Sequence, residues 1–161
     1  MWDKFGEFDS VEELNRAAAG QKEEGDEEAL IALAVENGLT KEDALDYMDG
    51  VVDELASSLM AAQGKIKIES AELKPKEIME DWVQYILIRI TEDPEMQKAV
   101  RRKGKSLEGC IAALLTWSFK HQIPVDQKIM TAAGVKAGRC TLGIPGMATA
   151  KKIITNYYMR K

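Results

Sequence analysis

"KEIMEDWVQYILIRITED" (Lys76–Asp93) is the strongest helical stretch of the chain. It follows Pro75, a residue well suited to a helix start. Its apolar residues cover much more than one helical stripe: Ile78, Met79, Trp82, Val83, Tyr85, Ile86, Ile88 and Ile90. A helix that is apolar on most sides is usually buried. We therefore expect this helix to be central to the fold, its excess apolar surface covered by the core or by a dimer interface.

The helices that follow it carry clear start signals. Pro94 begins a short helix, and Ser106 caps LEGCIAALLTWSFKH, whose apolar residues recur every three or four positions. Pro124 begins another helix, and ATAKKIITNYYMRK closes the chain as a last one.

The first part of the chain predicts short helices ended by glycines. Ser10 caps a helix to about Gln21, with Glu13 placed for a capping box. Asp26 caps a second helix that ends at Gly38, and Thr40 caps a third through Met48, closed by Gly50. VVDELASSLMAAQG (residues 51–64) is predicted as a fourth helix that stops at Gly64.

Residues 65–75 change this pattern, because Ile66 and Ile68 alternate with lysines and favour a short extended segment near residues 65–69. We take this stretch as a boundary between residues 1–62, an acidic module of short helices, and residues 63–161, a basic helical domain. The fold class predicted is all-α, with seven or eight helices.

Charge divides the chain at the same place. The net charge of −5 combines 17 acidic and 4 basic residues in 1–62 with 10 acidic and 18 basic residues in 63–161. Such asymmetry predicts two different partner surfaces, or one half held against the other; simple solvation of both halves is the alternative.

We expect a cytoplasmic protein. The opening MWDKFGEFDS carries acids where a secretory signal carries bases, and no apolar run approaches the roughly 18 residues of a membrane span. Two cysteines, Cys110 and Cys140, do not make a disulfide framework.

The glycine-rich stretch GRCTLGIPGMATAKK (Gly138–Lys152) invites comparison with phosphate-binding loops. Met147 stands where such a loop needs lysine and a hydroxyl, and no strand precedes it. We interpret it as a turn that begins the last helix, with Gly143, Pro145 and Gly146 setting its backbone.

Five acidic residues lie on either side of Gly50 in the sequence, and we call them the acidic stripe: Asp43, Asp46, Asp49, Asp53 and Glu54. The first three are three residues apart, which puts them on one helical face and does not fit the two-residue ligand spacing of a calcium loop. The stripe is either a solvated face or an acidic docking surface.

Chemistry that needs histidine is confined to His121. A Cys110–His121 pair on one helix would be about 16 Å apart, and neither zinc spacing nor a catalytic triad is present. We therefore expect no enzyme activity, no metal and no cofactor.

A basic patch is the last candidate site: Lys98, Arg101, Arg102, Lys103, Lys105, Lys151 and Lys152. Cations near a helix C-terminus are favourable in themselves. A surface that contacts phosphate or acidic groups is the other interpretation.

Three stretches resemble a known family: FGEFDSVEELNRAA with EGDEEALIALAVENGLTKEDALDYMDG, ELKPKEIMEDWVQYI with AVRRKGKSLEGCIAALLTWSFK, and CTLGIPGMATAKKIITNYYM. They are similar to the PcfK-like proteins of conjugative and other mobile elements. Members of that family are assigned as anti-CRISPR inhibitors of the type II RNA-guided effector nuclease.

The resemblance implies a non-enzymatic interaction protein whose partner is that nuclease, and it brings no catalytic residues. Such nucleases hold nucleic acid in positively charged channels, so the acidic residues 1–62 could occupy one as a phosphate mimic. The competing hypothesis is a DNA-binding accessory protein of conjugation that acts through the basic patch. Self-association into a homo-oligomer is left open.

Overall fold

The computed structural model describes all 161 residues and confirms the all-α class. It has nine helices: α1 Val11–Glu23, α2 Glu27–Glu36, α3 Lys41–Met48, α4 Ser58–Leu73, α5 Ile78–Glu92, α6 Pro94–Arg101, α7 Leu107–Lys120, α8 Gln127–Ala132 and α9 Met147–Met159. A two-residue strand pair, β1 Ile123–Pro124 and β2 Thr141–Leu142, is antiparallel, with Ile123 opposite Leu142. None of the helices combines the length and the apolar character that crossing a membrane requires.

The first three helices begin at the predicted caps. The side-chain oxygens of Ser10, Asp26 and Thr40 accept hydrogen bonds from backbone N–H groups in the first turns of α1, α2 and α3. Thr40 and Asp43 form a reciprocal capping box. Glu13 differs from the prediction, because its carboxylate accepts from the backbone N–H of Asp9 and not from that of Ser10.

Two predictions about residues 51–75 are wrong. Residues 51–55 are bends, and α4 begins only after Ser57, whose hydroxyl accepts from the Met60 N–H. The helix then continues through Gly64 and through residues 65–69, so the extended segment lies at β1 and β2 instead. The alternation of Ile66 and Ile68 with lysines was misleading because Lys65 itself is buried on the helix face that carries Ile66.

The buried apolar side chains form two clusters, and α4 supplies residues to both. The N-terminal cluster consists of Leu14, Ala18, Leu30, Leu33, Ala34, Leu39, Ala44, Tyr47, Leu55, Ala56 and Ala61. The C-terminal cluster consists of Ala62, Ile66, Trp82, Val83, Ile86, Ile90, Met96, Ala99, Val100, Leu107, Cys110, Leu114, Ala150, Ile154 and Tyr158. The clusters therefore meet at Ala61 and Ala62, close to the charge boundary, but a continuous helix crosses that point. The division into two domains stays a prediction.

The central position predicted for residues 76–93 is confirmed on one side of α5. Trp82, Val83, Ile86 and Ile90 are buried in the C-terminal cluster, while Met79 and Ile88 are exposed. The apolar excess of α5 is thus partly open to solvent.

Two glycines allow the turn after α2 to touch α4. Gly38 has φ +76°, and a Cβ placed on it would overlap the carbonyl of Gly64; a Cβ on Gly64 would overlap the carbonyl of Asn37. Both atoms in the way are backbone atoms, which cannot rotate aside. The close approach therefore requires glycine at both positions.

We expect Gly64→Ala to destabilise the protein by on the order of 3 kcal/mol, because the α2–α3 turn must move away from α4. Gly20→Ala is the matched control: Gly20 lies within α1 with open space around it, so alanine should stabilise by about 0.5–1 kcal/mol through helix propensity. Urea denaturation followed by circular dichroism measures both. Equal effects of the two substitutions would contradict the packing role of Gly64.

Candidate functional site: buried charge network and interaction surfaces

A buried ammonium group joins the segment before α1 to the loop between α6 and α7. Lys65 on α4 is only 1% exposed. Its Nζ donates to Glu7 Oε1 at 2.8 Å, to the Arg102 carbonyl at 2.8 Å and to the Lys105 carbonyl at 2.5 Å. Three acceptors satisfy all three donors of an ammonium group. The residues before α1 and the loop between α6 and α7 are thereby tied to the middle of α4.

Arg101, at the end of α6, extends this network toward α2. It is 2% exposed, donates from Nη2 to Asn37 Oδ1 at 3.2 Å, and lies 5.6 Å from the centre of the Trp2 ring. Its Nη1 has no hydrogen-bond partner. Arg101 is therefore a buried residue, and the prediction that it belongs to an exposed basic patch is wrong.

Glu69 completes the network one turn after Lys65. Its Oε2 accepts from the Leu107 N–H at 3.0 Å, at the start of α7. Burial raises the pKa of Glu69 from 4.5 to about 7, and the charge of Lys65 only partly opposes this. Burial likewise lowers the pKa of Lys65, and the hydrogen bond that its Nζ donates to Glu7 opposes this shift.

A second candidate site is an apolar groove formed mainly by α5 and α7. It has a volume of about 360 Å³ and is lined by Ile78, Met79, Trp82, Ile111, Leu115, Ser118, Phe119, Gln122, Gly143 and Ile144. Phe119 is 76% exposed, and Leu115 and Ile144 are exposed beside it. Exposed apolar side chains that share a concave lining are typical of an interaction site.

Hydrogen bonds hold one wall of the groove. Gln122 donates from Nε2 to the Ser118 carbonyl at 2.7 Å and accepts at Oε1 from Thr141 Oγ1 at 2.8 Å, which fixes the strand pair to the end of α7. Gly143 leaves no room for a Cβ against Gln122. Trp82 also lines the groove, and its buried Nε1–H has no acceptor.

The acidic stripe divides into bound and free carboxylates. Asp43 is half-buried and occupied by the capping box of α3. Asp46, Asp49, Asp53 and Glu54 are exposed, at the end of α3 and in the bends after it. None of these five residues forms an ion pair within the chain.

The remaining members of the basic patch lie at different depths. Lys103, Lys151 and Lys152 are exposed, and Lys98 is exposed beside Glu95 at 3.3 Å. Arg102 and Lys105 are half-buried, and Lys105 Nζ donates to the Tyr157 carbonyl at 2.9 Å.

The other sequence candidates have ordinary surroundings. His121 stacks on Trp117 with ring centres 4.3 Å apart, and its Nδ1 lies 2.8 Å from the Trp117 carbonyl. Cys110 is buried, and burial raises the pKa of its thiol to about 12. No group of three His, Cys, Asp or Glu side chains is arranged to hold a metal. The stretch 138–152 forms β2, which was not predicted, and then the predicted turn that begins the last helix, with Gly146 at the N-cap of α9.

Comparison of the chain with protein-family models, with curated protein sequences and with solved structures finds no match. The resemblance to PcfK-like proteins stays a hypothesis drawn from the sequence.

Sequence reasoning missed the buried network and the groove. One signal for the network was present: Lys65 and Glu69 are four residues apart on a stretch whose other face is apolar, a spacing that pairs side chains on a helix. The extended interpretation of residues 65–75 hid that spacing.

We expect Glu69 to make stability depend on pH. The folded-state pKa of Glu69, about 7, lies above the unfolded value of 4.5. The contribution of Glu69 to the free energy of unfolding is therefore fully present below pH 4.5 and is lost as pH rises through 7. Each pKa unit corresponds to about 1.4 kcal/mol, which gives a loss of roughly 3 kcal/mol.

Glu69→Gln keeps an acceptor for the Leu107 N–H and removes the titration. Urea denaturation of both proteins from pH 4.5 to 8 should show a difference in unfolding free energy that shifts in favour of the variant as pH rises. A difference that stays constant across this range would contradict the raised pKa.

Proposed function

We propose that this chain is a non-enzymatic interaction protein that binds a protein partner through the groove between α5, α7 and the residues that follow β2. The observation that carries the proposal is the exposure of Leu115, Phe119 and Ile144 around one concave lining. Apolar and aromatic anchors of this kind supply most of the binding energy in protein interfaces.

The partner that fits the rest of the surface is a type II RNA-guided nuclease, and the chain then acts as a cytoplasmic anti-CRISPR inhibitor encoded on a mobile element. Two observations support this choice. The sequence resembles PcfK-like proteins in three stretches, and Asp46, Asp49, Asp53 and Glu54 present unpaired carboxylates to solvent. A nuclease channel that holds nucleic acid through basic groups offers the complementary charge. The groove binds the nuclease, and the acidic stripe competes with the phosphates of nucleic acid for the basic channel of the nuclease.

We expect Leu115→Ser/Phe119→Ser to raise the concentration needed for half-maximal inhibition of target-DNA cleavage at least tenfold, because two anchors of the groove are removed. The assay uses the purified nuclease loaded with guide RNA and the full chain. Val35→Ser/Ile88→Ser is the matched control, since it removes two comparably exposed apolar side chains that belong to neither the groove lining nor the acidic stripe. It should change inhibition less than twofold. An unmodified chain that leaves the cleavage rate unchanged would contradict the inhibitor function.

The role of the acidic stripe is tested by reversing two of its charges in Asp46→Lys/Asp49→Lys. Asp43 is kept because it caps α3. We expect inhibition to weaken at least about fivefold, since exposed charge pairs contribute roughly 0.2–1 kcal/mol each and reversal also adds repulsion. Glu72→Lys/Glu92→Lys makes the same change of net charge at two exposed positions near helix C-termini, where lysine is favourable. Equal inhibition by the two double variants would contradict a specific role of the acidic stripe, since only the net charge would then matter.

A further inference from the structure

The exposed side of α9 carries a continuous basic surface. A depression of about 330 Å³ is lined by Lys105, Ala113, Ile153, Asn156, Tyr157 and Arg160. A second of about 410 Å³ is lined by Tyr85, Lys151, Lys152, Thr155 and Asn156. Asn156 lines both, so the two depressions meet along the helix. We call this the α9 surface.

The cations of the α9 surface are not neutralised by the protein. No aspartate or glutamate lines either depression, and none of Lys105, Lys151, Lys152 and Arg160 takes part in an ion pair. α9 packs chiefly against α5, α6 and α7, and the acidic excess belongs to residues 1–62. The surface therefore offers net positive charge to an anionic partner.

The spacing of these groups suits an extended chain of anions. Lys152 and Asn156 are four residues apart and share a face of α9, and Arg160, the C-cap residue, follows at the next four-residue step. They span about 12 Å along the axis, which corresponds to three or four nucleotide steps at about 3.4 Å each. The Nζ atoms of Lys105 and Lys151 lie 5.1 and 5.4 Å from the centres of the Tyr157 and Tyr85 rings, which restrains both side chains.

We propose that the α9 surface binds the phosphodiester backbone of nucleic acid, independently of the groove. Lys105, Lys151, Lys152 and Arg160 neutralise phosphates, and the Thr155 hydroxyl and Asn156 amide donate hydrogen bonds to phosphate oxygens, the usual contacts that position a nucleic acid. An acidic protein fits less well, because no apolar residue among the lining is exposed to form the dry centre of a protein interface. Both tyrosines are half-buried beside lysines, so bases do not stack on them and binding is independent of sequence.

The test is fluorescence anisotropy of the full chain with a labelled single-stranded 20-mer and its duplex over a range of salt, with no nuclease present. Affinity should fall with salt with a log–log slope of about −3, as expected for four neutralised phosphates. Lys152→Glu/Arg160→Glu should lower affinity at least tenfold at low salt. Lys67→Glu/Lys76→Glu, the same charge change at exposed positions outside the α9 surface, should lower it less than threefold.

Three results would overturn the proposal: no binding at low salt, equal losses in the two double variants, or competition by poly-glutamate as effective per charge as by unlabelled oligonucleotide. The last result would identify an acidic protein surface as the partner. Failure here is distinguishable from failure of the proposed function, because Leu115→Ser/Phe119→Ser should retain full affinity for the oligonucleotide while losing inhibition.

Discussion

The fold depends on one buried cation. Lys65 Nζ is removed from water, and its acceptors come from Glu7, Arg102 and Lys105, positions 37 to 58 residues away in sequence. A buried ammonium without partners is so costly that the chain must deliver all three oxygens at once. This requirement fixes the segment before α1, the loop after α6 and the middle of α4 relative to one another. Arg101 and Glu69 belong to the same network, which therefore contains two buried cations, Lys65 and Arg101, and two carboxylates, Glu7 and Glu69.

Glycine makes this arrangement sterically feasible. The contact of Gly38 with Gly64 brings the turn after α2 onto α4 one position before Lys65, and Asn37 in that turn accepts from Arg101. The backbone contact at Gly64 and the charge network at Lys65 thus lie at neighbouring positions of α4. The N-terminal cluster, which includes Leu33, and the C-terminal cluster, which includes Ile86, supply the hydrophobic stabilisation. Apolar packing selects this register of α4 less sharply than the paired charges do.

These contacts explain which parts of the fold could be predicted from the sequence. The caps at Ser10, Asp26, Thr40 and Ser106 were found because a cap depends on groups within three residues of it. The course of α4 was not found, because Gly64 and Lys65 look like a helix end and an exposed lysine until their distant partners are known. Arg101 was assigned to the surface for the same reason. The groove was out of reach as well, since its lining combines residues from Ile78 to Ile144 that no local pattern relates.

The buried network also bears on how the surfaces are used. The network holds only four ionisable groups, two cations and two carboxylates, so the acidic excess of residues 1–62 and the basic excess of residues 63–161 remain largely in the exposed side chains. Charges of opposite sign that were free to approach would pair and neutralise each other. The rigid connection through α4 instead leaves the Asp46 and Asp49 carboxylates and the cations of the α9 surface unpaired. Each surface therefore keeps its charge available to a partner of the opposite sign.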